Sequence, residues 1–86
     1  MFKIEKLAEG NTTVLRLVGR INAQHLDELN QLITDANRKL VKLDLSEVSL
    51  VDLNVVRFLG DEERQGVEPV KCSPYIREWI EREQVR

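Results

Sequence analysis

The sequence predicts an α/β fold: a two-layer sandwich with one four-stranded mixed sheet, helices on one of its faces, and elements in the order ββαβαβα. Three observations carry that reading. The segment LVKLDLSEVSLVDLNVVRFL, residues 40–59, changes hydrophobic period midway. Leu43 and Leu45 alternate with Lys42 and Asp44 as in a half-buried strand, whereas Leu53, Val56 and Leu59 recur at helical spacing. Two further strand-like segments near the N-terminus are separated by turn chemistry. Charged residues interleave the apolar ones in the first three strands, which leaves one sheet face at least partly open to water; strands covered on both faces would read as nearly continuous apolar runs.

The elements follow in order. Phe2 to Lys6 alternates apolar and charged residues, and Val14 to Val18 is β-rich. Glu9, Gly10 and Asn11 between them predict an antiparallel hairpin. Asn22 can cap a first helix over about Ala23 to Arg38, with Leu26, Leu29, Ile33, Ala36 and Leu40 on its apolar face. A strand over 41–45 leads through a short turn into a helix over about 53–64. Asp52 is placed to cap that helix, because its carboxylate can accept a backbone N–H that the first turn leaves unpaired. Gly66 closes the helical region. Val67 to Lys71 reads as a short last strand, with Pro69 marking its start or a sheet edge because it lacks a ladder donor. Ser73 caps and Pro74 opens a final helix carrying Tyr75, Ile76, Trp79 and Ile80. Two right-handed crossovers make the last three strands parallel. On the open face, Lys3, Glu5, Lys42 and Asp44 are expected to be accessible to solvent.

Composition narrows the function classes. At 86 residues the chain is read as a single domain over 1–86, near the size where one core gives a modest stability margin. Hydrophobic residues make up 42% and charged residues 33%, which describes a globular chain rather than a disordered one. The 13 basic and 15 acidic side chains are scattered, so no basic stripe invites nucleic acid. No apolar run approaches the roughly 20 residues of a spanning helix. The N-terminus lacks the apolar stretch of a signal peptide. These features predict a cytoplasmic protein without direct membrane insertion. The single Cys72 can form no internal disulfide.

Few residues suggest catalysis. His25 is the sole histidine, and no companion ligands complete a metal site with it. Cys72 precedes the last helix, where the dipole can lower a thiol's pKa, although a small hydrophobe at a strand end is the plainer reading. Asp44 and Asp52 lack a histidine or a glycine-rich phosphate cradle beside them, which favours structural roles. No cofactor is expected. Arg77 with Glu81 and Glu78 with Arg82 read as a solvated helix face. The helix after Asp52 is richer in apolar residues than one stripe can hold, since successive positions turn by about 100°. Leu53, Val55 or Phe58 must therefore pack beneath neighbouring helices or form an apolar partner-binding surface.

Leu43-Asp44-Leu45-Ser46-Glu47-Val48 followed by Asp52-Leu53-Asn54-Val55 resembles the STAS domains of sulphate transporters and anti-sigma factor antagonists. Their strand reads roughly Leu-Asp-Leu-Ser-x-Val, with Asp-Ser-Ser-Gly or Asp-Ser-Thr-Gly opening a helix. Gly19, Arg20, Ile21 and Asn22 match the family's Leu-x-Gly-Arg-Leu-Asp segment, so that about half the chain is covered. The resemblance implies a STAS-like fold and a non-enzymatic adaptor that binds a protein through Asp52, Leu53, Asn54, Val55, Arg57 and Phe58. The partner it implies is an anti-sigma-type serine kinase or a subunit of a transporter assembly. In STAS antagonists the residue after the aspartate is the phosphorylated hydroxyl, and Leu53 cannot accept phosphate. The usual phospho-switch is thus missing from its place, with displaced phosphorylation at Ser46 or Ser49 as an alternative. Two other readings stay open: a small redox protein or enzyme using Cys72, and nucleotide binding at the strand-end crevice, which no phosphate loop supports.

Overall fold

The computed structural model describes residues 2–84. Strands β1 (Phe2–Glu9) and β2 (Thr12–Ile21) form the N-terminal hairpin, joined by Gly10 and Asn11. Gly10 has φ +60° at the first central position of this two-residue loop. That conformation is open to glycine and matches the twist of the flanking strands. A 3₁₀ turn (Ala23–His25) then leads into α1 (Leu26–Asp35), and a second (Arg38–Leu40) into β3 (Val41–Val51). The chain continues through α2 (Leu53–Arg64), β4 (Glu68–Val70) and α3 (Pro74–Gln84). The sheet order is β1-β2-β3-β4, with β1 antiparallel to β2 and the last three strands parallel. The expected ββαβαβα mixed sheet is the observed one.

The core lies between the sheet and the helices. Leu15, Leu17, Ile21, Leu43, Leu45 and Val51 from the sheet pack with Leu29 and Ile33 of α1, Val55, Val56 and Leu59 of α2, and Ile76 and Ile80 of α3. Several element boundaries differ from the sequence expectation: β1 runs on to Glu9, β2 covers Thr12–Ile21, and β4 is confined to Glu68–Val70. The first helix is shorter: α1 stops at Asp35 because Ala36 turns to extended backbone, and the Asn37 side chain caps the following 3₁₀ turn. Leu29 and Ile33 are buried as expected, but Leu40 leaves the helical face and is 40% exposed.

The largest difference is in β3, which runs six residues past the expected end at Leu45. The sequence reads Ser46 to Leu50 as a turn, yet Glu47, Val48 and Leu50 pair with Val18, Gly19 and Arg20 of β2, which itself runs past its expected end at Val18. Register shifts between Arg16 and Val18, and again between Gly19 and Arg20, each place one extra residue on β3. Such bulges interrupt the two-residue alternation that identifies a strand. Gly19, with φ +94°, pairs with Val48 at the second irregularity. A side chain there would strain a backbone that glycine adopts freely.

The open face carries a row of charges across three strands. Glu5, Arg16 and Asp44 occupy one register line. Arg16 Nη1 donates to Glu5 Oε1 at 3.5 Å and Arg16 Nε to Asp44 Oδ2 at 3.4 Å. Lys3 is exposed, and Glu5 and Lys42 are half-exposed. Asp44 corrects the expectation of accessibility: it is 3% exposed, covered by its own partners on the open face. The Ser46 N–H donates to its Oδ1 at 2.9 Å, and Lys71 Nζ stands 3.9 Å from Oδ2. Lys71 has φ +54°, the sole positive value at a non-glycine among the described residues.

Burial acts to raise the Asp44 pKa, but hydrogen bonds from Ser46 and Arg16, with the Lys71 charge, outweigh it and hold the carboxyl below its ordinary 3.8. A lowered folded-state pKa contributes stability that is present above the unfolded value and is lost as pH falls through the folded one. Asp44→Asn is therefore expected to lower stability at neutral pH by about 1–3 kcal/mol. It should also flatten the acid limb of a pH series of urea unfolding below about pH 4. An unchanged acid limb would show that Asp44 is not held as an anion.

Candidate functional site

The carboxyl ends of β2 and β3 finish side by side, because Ile21 pairs with Val51 at the last register position. The residues that follow, Asn22 and Asp52, are thereby brought to one end of the sheet. Both start helical segments from extended backbone, Asn22 with φ −136° and Asp52 with φ −110°. Asp52 uses both carboxylate oxygens. Oδ1 accepts from the Val55 N–H at 2.9 Å, capping α2 as the sequence predicts, and Oδ2 accepts from the Ala23 N–H at 3.3 Å. One side chain thus ties the start of α2 to the start of the segment after β2.

The neighbouring loop is fixed by a reciprocal cap. Asn22 Oδ1 accepts from the Gln24 N–H at 3.1 Å, while His25 Nδ1 accepts from the Asn22 N–H at 3.1 Å. The acceptor role requires that Nδ1 carry no proton. The His25 ring also stacks on Phe2, with centroids 4.1 Å apart and planes 16° from parallel. The sequence reading placed His25 on an ordinary helix start and missed this link to β1. Its signal was Asn22 with a hydrogen-bonding side chain three residues later, the spacing of a capping box.

The six residues expected at a partner surface divide sharply. Leu53 is 39% exposed and Asn54 is exposed, while Asp52 is half-buried by its two bonds. Arg57 remains half-exposed, but its Nε donates to Glu83 of α3 at 3.1 Å. Phe58 is half-buried against the core. Val55 corrects the expectation: it is fully buried, because the start of α2 turns positions 55, 56 and 59 toward the sheet. Its backbone N–H serves the site and its side chain serves the core. The sequence reading overlooked Leu50, which is 51% exposed and lies opposite Arg20. An apolar residue directly before Val51, out of step with strand alternation, was the available sign.

Ser46 and Ser49 are exposed, but they lie in the bulged half of β3 rather than in a turn. Cys72 packs against the core, and burial pushes its thiol pKa up; Arg77 pulls the other way, and Glu63 adds to the rise. The arrangement before α3 therefore disfavours a thiolate. Among the described residues, no three His, Cys, Asp or Glu side chains are grouped closely enough to hold a metal ion. No helix among them is long and apolar enough to cross a membrane.

The exposure differences predict a contrast within one helix. Leu59→Ala should cost about 2–5 kcal/mol, since Leu59 is buried on the sheet-facing side of α2. Leu53→Ala should cost well under half as much in the same urea-unfolding measurement. Equal losses would place Leu53 in the core.

No family model matches the chain, and no curated protein matches it by sequence. Solved structures do match. The crystal structure of Mglu superposes with a TM-score of 0.69 at 22% identity over 81% of this chain. This chain spans only 20% of Mglu, about one fifth of its length. The anti-sigma factor antagonist SpoIIAA, in its unphosphorylated form, superposes with a TM-score of 0.60 at 18% identity. That match covers 91% of this chain and 79% of SpoIIAA. At these identities the likeness is one of fold, and the fold it establishes is that of a STAS-like domain.

Proposed function

We propose that the chain is a non-enzymatic STAS-like adaptor that binds another protein through the start of α2 and the loop tied to it by Asp52. The observation that carries this reading is Leu53: an apolar side chain held outward on a capped helix start while Val55 and Val56 beside it are buried. An exposed apolar residue on a preorganised backbone contributes to an interface without an ordering cost. Asn54 and Arg57 supply polar surface around it, as interface rims do. The shared fold with SpoIIAA supports an anti-sigma factor antagonist-like regulator, with an anti-sigma-type serine kinase as the partner class. A subunit of a transporter assembly is the second partner class. The raised thiol pKa of Cys72 speaks against a redox or nucleophilic enzyme.

Binding in this reading is constitutive at Leu53, or is controlled from elsewhere. Incubation with an anti-sigma-type kinase and ATP, followed by mass spectrometry, should find no phosphate on the first turn of α2. Stoichiometric phosphate on Ser46 or Ser49 would mean that the switch has moved into β3.

The direct test is capture of partners with the wild-type protein, followed by affinity measurement on variants. Leu53→Asp should weaken binding at least tenfold, about 1.4 kcal/mol, with the fold intact. Arg57→Glu should weaken it less and lower stability by up to about 1 kcal/mol through loss of the half-exposed Glu83 pair. Unchanged partner affinity in Leu53→Asp would refute the proposed surface.

A further inference from the structure

The two edges of the sheet are unequal. β4 is three residues long with Pro69 at its centre, so it offers little to another strand. β1 is eight residues long, contains no proline, and pairs with β2 without a register shift. Its outer side is a regular row of backbone donors and acceptors, the template that strand addition requires.

Its phase follows from the hairpin. The two-residue loop makes Glu9 and Thr12 a hydrogen-bonded closing pair, so Leu7, Glu5 and Lys3 also bond to β2. Phe2, Ile4, Lys6 and Ala8 therefore aim their N–H and C=O groups at the free edge. A second copy can add antiparallel across a two-fold axis normal to the sheet, which keeps both open faces on one side. Under that symmetry the register is named by the residue on the axis. With Glu5 on the axis Glu5 faces Glu5, with Lys6 on it Lys6 faces Lys6, and with Leu7 on it Glu5 faces Glu9. With Ile4 on the axis no like charges face each other: Lys3 faces Glu5 of the other copy, twice by symmetry, Ile4 faces Ile4, and Lys6 faces Phe2. The Lys3 and Glu5 pairs then fall at non-hydrogen-bonded positions, where opposed side chains come closest. Within one copy these two already lie on one face, 3.2 Å apart between Lys3 Nζ and Glu5 Oε2.

We propose that β1 is a self-association edge at which two copies of this chain join antiparallel about Ile4, producing a continuous eight-stranded sheet. The apolar Ile4 contact lies on the helix-bearing side, in line with Leu17, and the ionic pairs lie on the open side, in line with Arg16. This edge is separate from the start of α2.

Sedimentation equilibrium from low micromolar to millimolar concentration tests the proposal, with circular dichroism confirming that each variant folds. The wild-type protein should pass from monomer to dimer. Lys3→Glu and Glu5→Lys should each abolish the dimer at concentrations where the wild type forms it, and the double swap should restore it. In the wild-type dimer, amide exchange should slow at Ile4 and Lys6 and stay unchanged at Glu5 and Leu7, which already bond to β2. A wild-type protein that remains monomeric throughout, or a folded Lys3→Glu variant that dimerises like the wild type, would overturn the proposal. So would slowed exchange at Glu5 and Leu7 without change at Ile4 and Lys6.

Discussion

The parallel pairing of β2 with β3, carried through two bulges to Ile21 and Val51, is the constraint on which the rest of the molecule depends. It sets the two helical starts next to each other, and Asp52 then fastens them by accepting from both Val55 and Ala23. Without the bulged half of β3 the strand would end near Leu45. The loop to α2 would then hang free, and Leu53 would have no fixed direction. A carboxylate is suited to the joint because it has two oxygens and no donor, and it faces two backbone N–H groups that a helix start leaves unpaired.

A sheet with helices on one side must keep its other side soluble without losing order there. The Glu5, Arg16 and Asp44 line does this by pairing charges across strands, with Lys71 closing over the end. Burying Asp44 would be costly for an isolated carboxylate. Here the Ser46 N–H and the Arg16 guanidinium satisfy it, and its lowered pKa records that the anion is the favoured form. At the far end of the domain a second buried carboxylate, Glu62 of α2, is met by Arg38 Nε at 2.8 Å. That pair anchors the end of α2 to the turn that feeds β3, so both ends of α2 are referenced to the same strand.

Much of this was legible in the sequence where local chemistry and tertiary context agree. The N-terminal hairpin, the bounds of α2, and the caps at Asp52 and Ser73 follow from spacing and residue type, and of the two places open to Pro69, a strand start or an edge, the structure takes the edge. The failures have a common physical cause, which is that a partner distant in sequence overrides a local signal. Ser46 to Leu50 lack strand alternation, yet the extended end of β2 supplies partners for Glu47, Val48 and Leu50. Asp44 reads as a solvated strand residue, but Arg16 and Lys71 come from elsewhere in the chain to cover it. Val55 and Leu53 are equally apolar in the sequence, and only the azimuth set by the Asp52 cap decides that one is buried and the other exposed. The Asp52 contact with Ala23 spans 29 residues and has no local signature.

The claim at the centre of this account is that one carboxylate holds two loops together, and Asp52→Asn tests it most directly. The asparagine oxygen can still accept from Val55, but its other terminal atom is an N–H donor that would face the Ala23 donor. Amide hydrogen exchange measured residue by residue should show Ala23 and its neighbours opening faster while Val55 and the body of α2 keep their protection. Unchanged exchange at Ala23, with any effect confined to α2, would contradict the account and reduce Asp52 to an ordinary helix cap.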